Sequence, residues 1–333
     1  MAEELLILAG DIGGTKTNLA LAAIRQGKAE VRAEASFPSQ NFASLSAVCQ
    51  AFLPANTAIG AAAFGIAGPV IDGQVRTTNL PWHILPDELS VQLGGAKVSL
   101  LNDLATTALG ALHLPPDRFH WLQRGVARSG NIGVIAAGTG LGQAYLFHDG
   151  KRHIAAETEG GHTDFAPSNL DDERLLHYAR AQFGRVSWER IVSGRGLPLI
   201  ANFLHESEGL PFNALVQSRL DRGDDPGAVF GEAGVAGTCA TSRRAVDWMV
   251  QLYGAQAGNL ALTVMALGGI WIGGGLVGKL LPRMTTQLFV DAFCAKGRYA
   301  EMMRGIPIAA VLEPNASLIG ALHAATELAL SPK

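Results

Sequence analysis

Charge is scarce in this sequence. Only 17% of the 333 residues are charged, and 29 acidic against 26 basic side chains leave a formal net charge of −3. Such a balance gives no general field for DNA, RNA or an anionic lipid surface, so neither a nucleic-acid nor a membrane partner is expected. Cysteine is rarer still. Cys49, Cys239 and Cys294 lie far apart and lack the paired spacings of a zinc site or a disulfide framework. They read as reduced thiols, which implies a cytoplasmic protein. The start, Met1-Ala-Glu-Glu-Leu-Leu, carries acids where a secretory signal has its basic region, and its apolar run soon meets Asp11. Secretion is therefore not expected. From Trp248 to Gly278 there is no charge, enough length for the about 20 apolar residues of a membrane span. Gly254, Gly258, Asn259, Gly268-Gly269 and Gly273-Gly274-Gly275 interrupt it, however. It parses as buried helix, turn, short strand and second turn, the interior of an α/β protein.

Length and apolar content are ample by contrast. At roughly 100–200 residues per domain, the chain has room for two, and 48% hydrophobic residues supply a sizeable core. Glycine, at 40 residues, is abundant and clustered. Residues 5–9 read as a buried strand, Gly10-Asp11-Ile12-Gly13-Gly14-Thr15 as a tight turn, and residues 18–24 as a returning strand. Further strands are expected at 31–37, 59–66 and 98–101, with helices at 45–53 and 87–93. After the Pro115-Pro116 break the opening pattern recurs: strand at 132–137, turn at Gly138-Thr139-Gly140-Leu141-Gly142, strand at 144–147. Gly14-Thr15 then falls on Gly138-Thr139 and Ala20 on Ala144, which suggests a repeat through order of parts more than through identity. Val246, Val250, Tyr253, Ala257, Leu260, Val264 and Leu267 recur at spacings of four and three, the stripe of a long packed helix. That helix leads into a third strand and glycine turn ending in Gly273-Gly274-Gly275.

Without a Cβ, glycine lets the backbone approach a ligand and permits φ > 0, and a strand that turns back sharply aims amide dipoles at an anion. Three such turns suit a nucleoside triphosphate. The plain alternative, turns that only join strands, is weakened by their number, by Asp11 within the first, and by Thr15 and Thr139 following glycine in two. Two better known nucleotide motifs fit less well. Residues 10–17 nearly match a P-loop with Lys16-Thr17 in place, but Thr15 stands where glycine is needed and an apolar, strand-like run follows instead of a helix. Gly273-Gly-Gly275-Leu-Val-Gly278 matches a dinucleotide fingerprint literally, yet late in a glycine-rich chain.

Leu101-Asn102-Asp103 ends a strand with an amide and a carboxylate, where α/β proteins place ligand groups, and an aspartate there can act as a general base. Glu157-Thr158-Glu159-Gly160-Gly161-His162-Thr163-Asp164 gathers three carboxylates and a histidine. Glu159 and His162 have the spacing of di-iron helices, but the two glycines oppose a helix and no partner motif exists. Carboxylates, amides and a neutral imidazole also suit a polyhydroxylated ligand such as a sugar; a solvated acidic loop is the other reading. The remaining histidines are isolated and read as surface or core residues.

Taken in order, Gly10-Asp-Ile-Gly-Gly-Thr15, Leu101-Asn-Asp-Leu104, Gly138-Thr-Gly-Leu-Gly142, Glu159-Gly-Gly-His-Thr-Asp-Phe-Ala-Pro167, Val186-Ser-Trp-Glu-Arg-Ile-Val-Ser-Gly194 and Gly273-Gly-Gly275 make a chain that resembles the bacterial ATP-dependent glucokinases of the actin-like ATPase and sugar-kinase superfamily. The resemblance implies an α/β, two-domain actin-like (ribonuclease H-like) fold with a cleft: a small domain of residues 1–113 plus 314–333 and a large one of 114–313. It implies phosphorylation of D-glucose at the 6-hydroxyl by ATP, the first step of glycolysis, giving glucose 6-phosphate and ADP. Asp103 would be the base, and Asn102, Glu159, His162 and Glu189 would hold other hydroxyls. Gly10, Asp11, Ile12, Gly13, Gly14 and Thr15, with Gly138, Thr139 and Gly140, would face the phosphates. Gly273, Gly274 and Gly275 would lie near the adenosine. Mg²⁺ would bridge the phosphates, held by Asp11 through water. Closure of the domains about hinges near Pro115-Pro116 and Pro314 would exclude water. Relatives are commonly homodimers. Lys16 stands where the motif has asparagine; a phosphate contact and a surface charge are both open to it. No cysteine lies near His162, unlike the zinc-binding branch of repressors and N-acetylhexosamine kinases, and no helix-turn-helix precedes the first strand. Two other readings stay open: a kinase for a related hexose, and a sugar-binding sensor without catalysis, against which Asp103 argues.

Overall fold

The N-terminal apolar run forms β1 (Leu6–Ile12), which turns back into β2 (Lys16–Arg25) and again into β3 (Lys28–Pro38). The structure, a computed structural model, describes residues 4–77 and 80–332, so the first three residues of the acidic start lie outside the described residues. Two units emerge: Met1–Pro116 with Ala155–Glu157 and Glu313–Lys333, and Asp117–Ile154 with Thr158–Leu312.

In the first unit the chain continues through α1 (Leu45–Phe52), β4 (Ala61–Ile66), β5 (Val70–Ile71), β6 (Gln74–Arg76), β7 (His83–Ile84), α2 (Pro86–Gln92), β8 (Lys97–Asn102) and α3 (Asp103–Ala111). The main sheet runs β3-β2-β1-β4-β8, and β5, β6 and β7 form a small sheet of their own. The β1–β2 and β2–β3 pairs are antiparallel, whereas β1–β4 and β4–β8 are parallel. Alternation along β1 buries both faces. Leu8 and Ile12 pack with Leu45, Val48 and Leu89 from α1 and α2, while Ile7 and Ala9 face the C-terminal helix Ala316–Leu330 through Ala325, Leu318 and Ala321. That second face is made of alanines, Ala9, Ala20, Ala22, Ala61 and Ala63 among them, so the helix lies close.

The glycine turn is shorter than expected, because Gly10, Asp11 and Ile12 belong to β1. Gly10 is buried, and a Cβ there would stand 2.6 Å from Phe64 Cδ1, so core packing explains this glycine. The residues after the turn are strand, as β2 shows, which removes the P-loop reading.

In the second unit, β9 (Phe119–Gln123), β10 (Ile132–Ala137), β11 (Leu141–His148), β12 (His153–Thr158), β13 (Gly269–Gly273) and β14 (Ile308–Val311) form a sheet ordered β12-β11-β10-β13-β14-β9. Its first five strands repeat the order of the first sheet. The antiparallel hairpin β10–β11 and the parallel pairs β10–β13 and β13–β14 correspond to β1–β2, β1–β4 and β4–β8. The repeat suggested by order of parts is therefore present in the topology. The hairpins differ by one residue: Ile12 pairs with Thr17 across residues 13–16, and Ala137 with Leu141 across residues 138–140.

Helices α4 (Leu170–Phe183), α5 (Trp188–Ile191), α6 (Gly196–Glu206), α7 (Ala214–Asp221), α8 (Pro226–Ala236), α9 (Ala240–Thr263), α10 (Val277–Met284), α11 (Leu288–Cys294) and α12 (Ala300–Arg304) complete the unit. The expected long helix is α9, with Val246, Val250, Tyr253, Ala257 and Leu260 buried. It ends before Val264 and Leu267, which leave the helix yet still pack on the same core. The charge-free stretch is the second half of α9, β13 and the start of α10; no described helix is long and apolar enough to cross a membrane.

Candidate active site

Asp103 opens α3 directly after β8, and Asn102 caps the helix. Asn102 Oδ1 accepts the N–H groups of Leu104 (2.9 Å) and Ala105 (3.3 Å), while its Nδ2 donates to Gly68 C=O at 3.2 Å. Among the described residues these bonds leave one N–H of the Asn102 amide open to a further acceptor. Asp103 is half-buried, and its Oδ1 also accepts the Leu104 N–H at 2.9 Å. Negative charge at a helix N-terminus meets the positive end of the helix dipole, which stabilises that end of α3. Its carrier is rigid. A Cβ on Gly110 would lie 1.8 Å from Ala316 C=O and one on Gly320 1.8 Å from Thr106 C=O, so α3 and the C-terminal helix meet backbone to backbone. Thr106 Oγ1 adds a buried hydrogen bond to Ser317 Oγ at 2.9 Å.

In the same unit, Asp11 Oδ2 accepts from Asn18 Nδ2 at 3.3 Å across the hairpin. Gly13 N–H donates to Lys16 C=O at 2.9 Å, which puts Gly14 and Thr15 at the tip. Buried Ser39 braces this turn: its hydroxyl donates to Gly13 C=O (2.7 Å) and lies 2.9 Å from Thr17 Oγ1, and its N–H donates to Thr15 C=O (3.0 Å). Nothing in the spacing of Ser39 announces this role. Lys16 is exposed, and Ile12 is buried in the core.

In the second unit, Gly138 N–H donates to Gly140 C=O at 2.8 Å and leaves Thr139 exposed at the tip. Gly13, Gly138 and Gly140 are not left-handed, contrary to the expectation of φ > 0 at these turns; Gly274, with φ +89°, is. Room is what Gly140 supplies, since a Cβ there would lie 2.3 Å from Glu189 Oε2. Glu189 Oε2 accepts the Leu141 N–H at 3.0 Å, and Gly194 N–H donates to Gly138 C=O at 2.7 Å. Behind the turn, fully buried Tyr253 accepts the Ala137 N–H at 3.1 Å and donates to Ile135 C=O at 3.2 Å. Burial pushes its phenol well above the ordinary tyrosine range.

Gly138, Thr139 and Gly275 line one cavity of about 720 Å³, together with Gly194, Asp225 and Lys279. Two glycine turns far apart in sequence thus meet at one pocket, whereas Gly273 is buried at the end of β13. Arg195 and Glu232 also line it. Asp225 caps α8 through the Ala228 N–H (2.8 Å) and Glu232 takes Arg219 (2.6 Å), but among the described residues Arg195 and Lys279 have no acidic partner. These cations are available to an anion. They escape motif reading because isolated basic residues have no spacing to recognise.

Glu159 precedes and His162 ends a single 3₁₀ turn, Gly160–His162, with no α-helix there; Nε2 and Oε2 are 3.8 Å apart and both side chains are exposed. Asp164 accepts from Arg185 Nε at 2.8 Å. Gly161 is confined, because a Cβ would lie 1.7 Å from Leu141 C=O. Main-chain bonds from Phe165 N–H to Val186 C=O (2.9 Å) and from Trp188 N–H to Thr163 C=O (3.0 Å) tie this segment to the one that carries Glu189.

The family model named Glucokinase matches residues 8–328. The chain belongs to the glucokinase family. Curated glucokinases of Synechocystis sp. and Nostoc punctiforme are each 37% identical, the first over 96% of this chain and 98% of its own length, the second over 97% and 99%. A crystal structure of a glucokinase from an Antarctic psychrotroph superposes with a TM-score of 0.83 at 29% identity, over 96% of this chain and 98% of its own. The family's actin-like fold accounts for the paired sheets: each unit repeats one strand order, and each hairpin, Gly13–Thr15 and Gly138–Gly140, sits at the same place in its sheet.

Proposed function

We infer that this chain transfers the γ-phosphoryl group of ATP to the 6-hydroxyl of D-glucose, giving glucose 6-phosphate and ADP. The observation that carries the reading is the cavity at which the Gly138–Gly140 and Gly274–Gly275 turns meet beside Arg195 and Lys279. Its volume, about 720 Å³, suits a nucleotide, and Arg195 and Lys279, which have no acidic partner among the described residues, suit a triphosphate. Full-length membership of the glucokinase family supports glucose as the acceptor.

Asp103 takes the proton of the 6-hydroxyl as that oxygen attacks the γ-phosphorus; the bond from γ-phosphorus to the β,γ-bridging oxygen breaks, and ADP leaves with its electron pair. Glu159, His162 and Glu189 hold other hydroxyls, with Asn102 contributing its remaining N–H. The hairpin tips at Gly14-Thr15 and Thr139-Gly140 face the phosphates, and Gly275 the adenosine side. Alignment of the reacting groups supplies the larger part of the acceleration, about 7–11 kcal/mol in well-oriented systems, against on the order of 10²–10⁴ in rate from the base.

Mg²⁺, when bound, supplies charge neutralisation on the β- and γ-phosphates. The donor set fits a hydrated ion carried by phosphates: Asp11 offers one carboxylate at the end of β1, and among the described residues no three His, Cys, Asp or Glu side chains form a protein cage. Asp11 would hold it through water. The same reading includes a homodimer, which light scattering checks, and a cytoplasmic setting, consistent with the free, buried Cys49, Cys239 and Cys294.

The decisive experiment is ADP release by the purified protein with ATP, Mg²⁺ and a panel of hexoses. Release that depends on glucose and exceeds that with other hexoses is expected. Preference for another hexose would replace the acceptor, and no hexose-dependent release would leave only a sugar-binding role.

A further inference from the structure

Leu141 is a junction between the segments assigned to sugar and to phosphate. Its N–H donates to Glu189 Oε2 at 3.0 Å, and its C=O is so close to Gly161 that a Cβ there would lie at 1.7 Å. Leu141 itself starts β11, directly after the Gly138–Gly140 tip. Gly140 has no side chain at the point where one would meet Glu189 Oε2 at 2.3 Å. Glu189 is thus fastened by one oxygen to the hairpin, while among the described residues its Oε1 has no partner. It lies on α5, whose first residue Trp188 is bonded to Thr163 just after His162. Gly194, six residues from Trp188, holds Gly138 C=O at 2.7 Å, so the hairpin is gripped on both sides by one short stretch of chain.

We propose that Glu189 is a positioning residue for the phosphate hairpin: one carboxylate oxygen holds the Leu141 N–H while the other receives a sugar hydroxyl, so that hexose and nucleotide each tighten the binding of the other. This rests on the function inferred above. The physical reason is that a carboxylate with both oxygens engaged has little freedom to rotate, and its second bond is charge-assisted and directional. A sugar hydroxyl on Oε1 therefore sharpens the position of Leu141, and with it the tip amides that meet the phosphates. Coupling of this kind is reciprocal by thermodynamic necessity.

The test measures the Kd of a non-hydrolysable ATP analogue with and without saturating glucose, and the Kd of glucose with and without the analogue. In the parent protein each ligand should tighten the other by the same factor, about 5–150-fold. Gly140→Ala, which pushes against the carboxylate, and Glu189→Ala, which removes it, should bring that factor to within about twofold of unity. Glu189→Gln retains an acceptor for Leu141 N–H and should restore at least part of the coupling, which a merely structural loss would not do. Circular dichroism establishes that each variant is folded; if both disruptive variants unfold, Glu189→Gln against the parent still decides. A factor unchanged in the folded variants, a parent factor of one, or Glu189→Gln behaving as Glu189→Ala overturns the proposal. If the parent phosphorylates glucose but shows no coupling, this proposal fails and the assigned reaction stands. If it phosphorylates no hexose, the assigned reaction fails first.

Discussion

Gly320→Ala adds one methyl group where the C-terminal helix crosses α3. Its Cβ would stand 1.8 Å from Thr106 C=O, and since real Cβ contacts below 3.0 Å essentially never occur, the backbones must part by 3.0 − 1.8 = 1.2 Å at least. Alanine gains about 1 kcal/mol over glycine in a helix interior. Overpacking costs about 1–3 kcal/mol, at the upper end here because the opposing atom is main chain and cannot swing aside. The difference is a net loss of about 2 kcal/mol, which lowers Tm by about 4–8 °C. Because Thr106 lies one turn after Asp103 on α3, the shift also reaches the proposed base, and a displacement of about 1 Å at a reacting group costs on the order of 10² in rate. Thermal unfolding by circular dichroism and kcat from coupled ADP release read the two effects. Gly278→Ala is the control: it is also helical, but its Cβ meets nothing within 4 Å, so helix propensity alone should act. A Gly320→Ala protein with parental Tm and kcat within twofold would refute the argument that this crossing positions Asp103.

Other tests follow from the same geometry. Asp103→Asn should keep glucose binding, measured by calorimetry, while turnover falls by on the order of 10²–10⁴ or more; turnover within tenfold of the parent would remove Asp103 as the base. Tyr253→Phe strands the buried Ala137 N–H, a loss of about 1–3 kcal/mol in denaturant unfolding, and an unchanged midpoint would mean that another group satisfies it. The His113 and His323 rings stack with centroids 3.3 Å apart; burial, then the charge of His113, push His323 down to about 4, and burial lowers His113. The unfolded chain takes up these protons near pH 6.5 and the folded chain does not, so their contribution is whole above that pH and is lost as pH falls toward 4. Tm should therefore drop between pH 7 and pH 5, and less so in His323→Gln; parallel curves for the two proteins would exclude the pair as the cause.

Local sequence was sufficient for both hairpins, for α1, α2 and α9 and for most of the motifs, but it named none of α4 to α8 and neither β12 nor β14. The strands of both hairpins, the long helix α9 and the Asn102-Asp103 corner are legible because alternation, helical spacing and strand-end chemistry are local properties. The duplication was visible only as an order of parts, since identity between the two hairpins has nearly vanished while the strand order β3-β2-β1-β4-β8 and β12-β11-β10-β13-β14 is the same. Reading glycine as a marker of left-handed backbone failed at Gly13, Gly138 and Gly140 and at Gly10. Gly10 and Gly140 are glycines because of what lies opposite: Phe64, the partner of Gly10 across the sheet, and Glu189, which α5 brings to Gly140.

What the residues determined by themselves is therefore the α/β class, the hairpin tips and the carboxylates available for chemistry, all of which depend on neighbours a few positions away. Tertiary structure alone decided that Ser39, Tyr253 and Glu189 brace those tips, that two distant glycine turns share one cavity with Lys279, and that Gly110 and Gly320 let two helices touch. Each of these is a contact between residues tens to hundreds of positions apart, and such contacts leave no periodicity or spacing in the sequence for a local rule to detect.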